Sequence, residues 1–299
     1  MVSSWYKHPD YTEYRDALLK AYYRPPADKL PFYVRHLAAY ATHYGVRPGH
    51  FHLVPYDALL SMLWLALSFI TFSRPCEVLN QPSDNDKCGL RWKDVVYTRR
   101  GELRFWRILI RHFKNQRHRG VPKEIWLGDA WCGLKRCPCM CRLINPFWLL
   151  HFVRKRRLAA LPSMSPRRRK ALAVTGEAKV FVLWNGDEML TTSTRAIIHD
   201  VAIISGLTEV TRFTEYSNRV GGCTQASAAV IPDGYQYAWT GWSKDKLPDS
   251  ARGYCRPGNQ DLVRMPFYIL HGFTATNGHD ATTEHVPGMF RDLWSECRR

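Results

Sequence analysis

Hydrophobic and polar positions alternate with a helical period over the first 70 residues. Two amphipathic patterns, Tyr11–Tyr23 and Leu30–Tyr44, predict a small helical N-terminal unit with a Pro-Pro break between them. A continuous apolar run over Ala58–Phe72 predicts a long helix, for which Asp57 is a candidate cap. The run is shorter than the roughly 18 residues that span a bilayer. The pattern therefore favours a buried helix over a membrane segment.

The pattern changes to strands after residue 100. Arg104–Phe113 and Val121–Leu127 are rich in β-branched and aromatic residues, which predicts a β-hairpin with a strongly basic turn. Val180–Trp184 predicts another short strand before an Asn-Gly turn, and Pro146–Leu161 and Thr191–Ile204 predict helices. We therefore expect a mainly α fold with a small antiparallel β-sheet, of the α+β class.

Composition adds an electrostatic constraint to this fold. The chain has 43 Lys and Arg against 26 Asp and Glu, a net charge of +17, which predicts a polyanionic partner such as a nucleic acid. Its hydrophobic content of 45% supplies a core and excludes a wholly disordered polybasic chain. The first twenty residues carry charges throughout, so we expect no secretory signal and an intracellular protein.

Residues suited to phosphate chemistry stand in three separated segments. Arg74 and Glu77 follow the long apolar run in Ser-Arg-Pro-Cys-Glu, although the spacing Arg-x-x-Glu is by itself common in exposed ion pairs. Arg219 lies in Tyr-Ser-Asn-Arg-Val-Gly-Gly. Trp242 follows in Thr-Gly-Trp-Ser, and Tyr254 in Ala-Arg-Gly-Tyr-Cys-Arg.

In this order, and with the basic hairpin between them, these segments resemble the catalytic domain of the tyrosine recombinases, the phage-integrase superfamily. The stretch YSNRVGGCTQASAAV is most similar to that of eukaryotic recombinases from DIRS-like and crypton transposable elements. The resemblance implies a short, partial core-binding region over 1–52, a recombinase catalytic domain over 53–257, and a C-terminal tail over 258–299 that is an expected oligomer contact.

The resemblance also implies a role for each matching residue. Arg74 and Arg219 would hold the scissile phosphate, and Glu77 would support Arg74. Lys114, on the hairpin, would be the general acid that protonates the leaving 5′ oxygen. Two guanidiniums suit this chemistry, because they stabilise the extra negative charge of the transition state by paired hydrogen bonds.

Tyr254 would be the nucleophile, which forms a 3′-phosphotyrosyl intermediate. Trp242 matches the His or Trp position of the family, where its indole N–H can only donate a hydrogen bond. Tyr216 stands where the family usually has His. A phenol is a poorer base than imidazole at neutral pH, although it still donates a hydrogen bond.

The expected function is therefore site-specific DNA cleavage and rejoining for recombination or integration of a mobile element. The resemblance implies double-stranded DNA as partner, no cofactor, no need for metal or ATP, a tetramer on DNA, and the nucleus as location in a eukaryote. Two alternatives stay open, namely a DNA-binding relative with weak or no activity, and a type IB topoisomerase. An RNA-binding or membrane-surface module fits only the charge.

Basic and cysteine clusters add further candidates. Two basic runs, Arg154–Arg157 and Arg167–Lys170, are separated by a short spacer. Such a pair is typical of a nuclear import signal or of a surface that contacts phosphates. A cluster of four cysteines is either a weak zinc candidate or a set of reduced thiols, because its spacing is not that of common zinc sites. The candidate DNA contacts are Arg117, Arg119, Arg154, Lys155, Arg156 and Arg157, and the cysteines are Cys132, Cys137, Cys139 and Cys141.

Overall fold

The computed structural model describes most of the chain between residue 30 and residue 271. The described ranges are 30–46, 50–81, 89–101, 103–111, 122–131, 141, 143–229, 231, 235–236, 239 and 259–271. The helix predicted over Tyr11–Tyr23 and the basic turn of the hairpin lie outside them.

Helices and one small sheet build the described part of the chain, and this confirms the predicted α+β class. Its helices are α1 (Val34–His43), α2 (Tyr56–Thr71), α3 (Pro75–Val78), α4 (Pro146–Ala160), α5 (Pro166–Ala171), α6 (Thr194–Ile204), α7 (Ser217–Ala228) and α8 (Asn259–His271). Its strands are β1 (Val95–Arg100), β2 (Leu103–Ile110) and β3 (Lys123–Gly128).

Helix α2 forms the centre of the core. Every residue of it except Asp57 is buried, and it packs against α4 and α7. The predicted cap was wrong, because Asp57 lies inside the first turn and Pro55 occupies the N-cap. The Asp57 carboxylate instead accepts a hydrogen bond from the backbone N–H of Trp184, at 2.7 Å.

The three strands form an antiparallel sheet in the order β1-β2-β3. The predicted hairpin corresponds to β2 and β3, in which Ile108 lies opposite Ile125. The Trp106 indole fastens β2 to α4 by donating to the Phe147 carbonyl at 3.1 Å. Strand β1 was not predicted, because half of its six residues are polar or charged and its outer edge is exposed.

Arg157 belongs to the core, and its predicted role as a DNA contact was wrong. Its side chain is fully buried because it shares one face of α4 with Val153 and Leu150, at helical spacing. The guanidinium donates to four oxygen atoms and therefore has a structural role. These atoms are the Tyr56 hydroxyl and the carbonyl oxygens of Lys179, Val180 and Val182.

The strand predicted over Val180–Trp184 forms only isolated bridges. Val182 pairs with Glu188 across the Asn-Gly turn, but no ladder continues from this bridge. The physical reason is that the backbone groups of this segment have scattered partners. The carbonyl oxygens of Val180 and Val182 accept from Arg157, whereas the Val180 N–H donates to Leu90 and the Phe181 carbonyl accepts from Met189.

Helix α8 lies within the tail that was expected to be an oligomer contact, and that expectation stays a prediction. The helix packs on β3 and α7 of its own chain, and Val263, Met265 and Ile269 are buried there. At Gly128 of β3 the helix comes so close that an added Cβ would lie 2.2 Å from the Val263 carbonyl oxygen. Residues 272–299 lie outside the described part.

Helix α1 packs on α6 and α2, and its Leu37 belongs to the same hydrophobic core as Leu63 of α2. The boundary at residue 52 stays a prediction, although the described residues on its two sides share this core. Among the described helices, none combines the length and the apolar character that crossing a membrane requires.

Candidate active site

A sharp turn at the end of α2 presents Arg74. Phe72 is in the left-handed region, with φ 52° and ψ 29°, a conformation that is strained for a bulky side chain. Arg74 follows in an extended conformation, and Pro75 takes the first position of α3, where its missing N–H leaves no hydrogen bond unmade. The chain thus leaves the core at Arg74, whose side chain is partly exposed.

Glu77 contacts both the backbone and the guanidinium of Arg74. One carboxylate oxygen of Glu77, Oε2, accepts from the Arg74 backbone N–H at 3.2 Å, and Oε1 lies 3.9 Å from Arg74 Nη1. The Glu77 side chain is only 8% exposed, so water screens this pair little. A buried carboxylate at this point favours a fixed orientation of the guanidinium.

Two adjacent glycines bring α7 against α2. A Cβ on Gly221 would lie 1.7 Å from the Phe32 carbonyl oxygen, and a Cβ on Gly222 would lie 2.0 Å from that of Phe69. Glycine inside a helix costs about 1 kcal/mol relative to alanine, so this pair needs a packing reason. The close approach is that reason, and it places the Arg219 end of α7 beside the end of α2.

Arg219 and Arg74 therefore lie near each other, although they belong to distant segments. Burial and the positive charge of Arg74 lower the pKa of Arg219, while the negative charge of Glu77 raises it. Repulsion between the two guanidiniums is thus offset in part by one buried carboxylate. The arrangement favours a bound anion, which would neutralise both arginines.

Lys123 is a further cation of this site, and the sequence interpretation did not identify it. It begins β3, is 7% exposed, and donates from Nζ to the Thr71 carbonyl oxygen at the end of α2, at 3.1 Å. The pKa of Lys123 is lowered to about 8, chiefly by burial; Glu77 opposes this shift, and Arg219 and Arg74 contribute to it. The signal that could have found it is the strand period, which places Lys123 on the inward face with Ile125 and Leu127.

Tyr216 and Cys223 complete the described surroundings of Arg219. Tyr216 is the half-buried N-cap residue of α7, and its phenol interacts electrostatically with Arg219. Cys223 lies one helical turn beyond Arg219. Burial raises the pKa of the Cys223 thiol to about 11, so this cysteine is a neutral thiol at neutral pH and a poor nucleophile.

Several predicted site residues lie outside the described residues, and their roles stay predictions. They are Lys114, Arg117, Arg119, Trp242 and Tyr254, together with Cys132, Cys137 and Cys139. The fourth cysteine, Cys141, is buried. Within the described ranges, no three His, Cys, Asp or Glu side chains are grouped as a metal site would require.

The predicted DNA contacts on α4 differ in their surroundings. Arg156 donates to the Val54 carbonyl oxygen and lies over the Tyr56 ring, so its guanidinium is held by the protein. Lys155 is exposed and Arg154 is half-buried. Both stay predicted contacts, since nothing in the described packing prevents them from reaching a ligand.

The structure thus brings together four of the predicted site residues, Arg74, Glu77, Arg219 and Tyr216, and adds Lys123. No protein-family model matches this chain, and no curated protein matches it significantly. The chemistry of the site therefore has to be argued from its geometry. Three cations around one buried carboxylate form a site suited to a phosphate or sulfate group.

Proposed function

We propose that this chain is a tyrosine recombinase, which cuts and rejoins double-stranded DNA through a covalent phosphotyrosyl intermediate. The observation that supports it best is the convergence of Arg74 and Arg219 on one site, with Glu77 beneath Arg74. These residues come from separate segments of the sequence, and each stands in a motif that resembles the recombinase pattern. An unrelated pair of arginines has no reason to converge.

In the proposed reaction the Tyr254 hydroxyl gives up its proton to water while its oxygen attacks the phosphorus of the scissile phosphodiester. The P–O bond to the 5′ oxygen breaks, Tyr254 becomes bonded to the 3′ phosphate, and the leaving oxygen receives a proton from Lys114. Arg74 and Arg219 stabilise the negative charge of the non-bridging oxygens during the attack. Because the phosphotyrosyl bond retains the energy of the broken bond, the reverse attack by a 5′ hydroxyl rejoins DNA without ATP.

Two further side chains have proposed supporting roles. Tyr216, at the start of α7, donates a hydrogen bond to the phosphate or the nucleophile from the position where the family usually has His. Trp242 donates from its indole to a non-bridging oxygen. Neither residue takes up a proton at neutral pH, so we expect slower cleavage than with a histidine at position 216.

Double-stranded DNA as substrate is supported by the net charge of +17 and by exposed basic residues. Lys155 on α4 and Arg167 and Lys170 on α5 are exposed, and each can neutralise a phosphate. Arg117 and Arg119 would add contacts from the hairpin. A tetramer on DNA, a location in the nucleus and a role in a mobile element belong to the same proposal.

The proposal is tested with nicked duplexes that release a short fragment on cleavage and so trap the covalent complex. A pool with random sequence around the nick replaces the unknown target site. We expect a denaturation-resistant protein–DNA adduct with the wild type and none with Tyr254→Phe. Tyr268→Phe is the matched control, since Tyr268 lies in α8 and should leave the adduct unchanged.

The arginine pair has its own control in the same assay. Arg219→Ala should reduce the rate of adduct formation at saturating DNA by about 10² to 10³, as expected for loss of one transition-state donor. Arg195→Ala changes an exposed arginine of α6 and should retain the rate. Equal loss in both variants would refute the assignment of Arg219 to the phosphate.

The other functional candidates predict different outcomes. A DNA-binding relative without turnover, which Tyr216 favours, would bind duplexes in a salt-dependent manner and form no adduct, and Tyr216→His would then be the variant that restores one. A type IB topoisomerase would form the adduct, relax supercoiled plasmid and exchange no strands between two duplexes. Strand exchange is the outcome that the recombinase proposal requires.

A further inference from the structure

Lys123 lies at the base of the arginine pair, where β3, α7 and the end of α2 meet. Its Nζ donates to the Thr71 carbonyl oxygen, one of the carbonyls that a helix leaves without an internal partner at its C-terminal end. Titratable groups face Lys123 from each neighbouring element. They are Arg74 at the start of α3, Glu77 within α3, and Arg219 and Cys223 on α7.

The surroundings of Lys123 differ from those of an ordinary cap at a helix end. An ammonium has three N–H donors. Within the described part of the chain, Lys123 uses one of them, in the hydrogen bond to the Thr71 carbonyl oxygen. Two of the charged neighbours, Arg74 and Arg219, repel the ammonium, and the side chain is only 7% exposed. A capping lysine at the surface would have neither the burial nor the repulsion.

We propose that Lys123 is a positioning residue of the anion site, and that its protonation is coupled to occupancy of the site by a phosphate or sulfate group. The inference rests on the proposed function in one respect: if the protein is a recombinase, the natural anion of this site is a DNA phosphodiester. Lys123 acts through Arg74, Arg219 and Glu77, because its charge contributes to the field in which the two guanidiniums are held.

The direction of the coupling follows from the charges. Among the protein's own groups, burial and the two guanidiniums favour the neutral amine, and the pKa of Lys123 is about 8. An anion between Arg74 and Arg219 adds negative charge close to the amine and raises this pKa. Anion binding near pH 8 to 9 therefore takes up a proton, and by linkage the affinity falls as the pH rises through this range.

The test follows the side-chain signals of Lys123 by NMR in full-length protein with ¹³C-labelled lysine. Lys123→Arg identifies the resonance, and Lys123→Met serves if the arginine variant does not fold. The titration is run in chloride and in saturating sulfate at equal ionic strength, because sulfate does not itself titrate between pH 6 and pH 11. We expect a midpoint near pH 8 in chloride and an increase of about one unit or more in sulfate.

Two variants separate coupling from a purely structural role. Arg219→Gln should raise the midpoint of Lys123 in chloride and remove its response to sulfate, because the nearest repelling cation is gone. In DNA binding, the affinity of the wild type should fall roughly tenfold more between pH 7 and pH 10 than that of Lys123→Met, for a one-unit rise in pKa on binding. Lys93→Met, which changes an exposed lysine paired with Glu177 and outside the proposed DNA contacts, should retain the wild-type profile.

A midpoint of Lys123 near that of an exposed lysine would overturn the proposal. A midpoint that does not change in sulfate, while the arginine side-chain signals show that sulfate binds, would also overturn it. The same holds if sulfate does not perturb the arginine signals at all. These readouts do not depend on DNA cleavage. Failure of the covalent-adduct assay with a normal sulfate response would count against the recombinase and leave the coupling intact.

Discussion

Arg157 and Lys123 are both buried cations, and the acceptors around them determine what each one does. Four oxygen atoms surround the Arg157 guanidinium, and its charge also lies 5.7 Å from the Trp92 ring centre. The Lys123 ammonium, by contrast, has one acceptor among the described residues and lies near two arginines. Arg157 therefore stabilises the fold, whereas Lys123 belongs to the cationic site of Arg74 and Arg219.

Replacing Arg157 by methionine should destabilise the protein by about 2 to 4 kcal/mol. The substitution removes the Arg157 donor from the Tyr56 hydroxyl and from the carbonyl oxygens of Lys179 and Val182, and each buried group that loses its donor costs free energy. Urea unfolding measures the change. Arg154→Met on the same helix is the control, and it should alter stability by less than about 0.5 kcal/mol. A similar loss in both variants would contradict the structural role of Arg157.

His151 predicts a dependence of stability on pH. Burial lowers its pKa to about 4, with smaller contributions from Lys155 and Arg154. Between pH 6.5 and pH 4 the unfolded chain binds a proton that the folded protein does not, so stability should decrease as the pH falls through this range. The decrease from this group amounts to at most about 3 kcal/mol.

His151→Gln removes this titration, and its difference from the wild type isolates the histidine from other acid-sensitive groups. We expect the free energy of unfolding to fall by about 2 kcal/mol more in the wild type than in the variant between pH 6.5 and pH 4.5. Urea unfolding at both pH values measures it. Parallel losses in wild type and variant would show that His151 does not titrate in this way.

Secondary-structure elements differ in how far local sequence could predict them. The apolar run over Ala58–Phe72 predicted α2 to within two residues at its start. Because the helix is buried on all sides, the prediction did not depend on which face of the helix is apolar. The strand expected over Val180–Trp184 forms no ladder, because two of its carbonyl oxygens accept from the Arg157 side chain and its other backbone groups pair with separate segments. Local patterns indicate the preference of a segment but not which group satisfies its backbone.

The candidate site shows the same limit. Arg74, Glu77 and Arg219 were selected from short motifs, since their order along the chain resembles a known catalytic set. Lys123 was not identified from the sequence, because a single lysine at the start of a strand is usually exposed. The burial of Lys123 depends on its contacts with α2 and α7, which are distant in sequence. A strict reading of the strand period would have placed it inward, without showing what it meets.

The junction between α2 and α7 predicts an effect opposite to that of helix propensity. Gly222→Ala should favour an isolated helix by about 1 kcal/mol, yet here the new Cβ would lie 2.0 Å from the Phe69 carbonyl oxygen. We expect a net destabilisation of about 1 to 3 kcal/mol, because overpacking forces the helices apart. Thermal and urea unfolding measure it, and Ser227→Ala on the exposed face of α7 is the control.

The same variant connects packing to the proposed chemistry. Separation of α7 from α2 moves Arg219 away from Arg74, so adduct formation at saturating DNA should fall in Gly222→Ala under conditions where the protein is folded. Ser227→Ala should retain the wild-type rate. A Gly222→Ala protein that is both stable and fully active would show that the close approach of the helices is not what positions the arginine pair.

The molecule as a whole depends on one continuous core that helix α8 closes. Met265, Ile269 and Leu270 extend the core that begins with Phe32, and His271 bonds through Nε2 to the Ala130 carbonyl oxygen at 2.8 Å. One face of helix α8 therefore packs on its own chain. If copies of this protein associate on DNA, the tail beyond α8 and the partly exposed residues of α8 are the first candidates for the contact.

Two truncations distinguish these parts of the tail. Removing residues 272–299 should leave the melting temperature within a few degrees of the wild type, because the described core ends at His271. Removing residues 259–299 should uncover β3 and α7, with loss of cooperative unfolding, since Val263, Met265 and Ile269 then leave the core. Thermal unfolding compares both with the full chain.

Sedimentation with a DNA duplex then tests assembly. The protein that lacks only residues 272–299 should bind DNA as fewer copies per duplex than the full chain. An unchanged complex would place the contact between copies outside residues 272–299, and a stable, cooperative protein without α8 would contradict its place in the core.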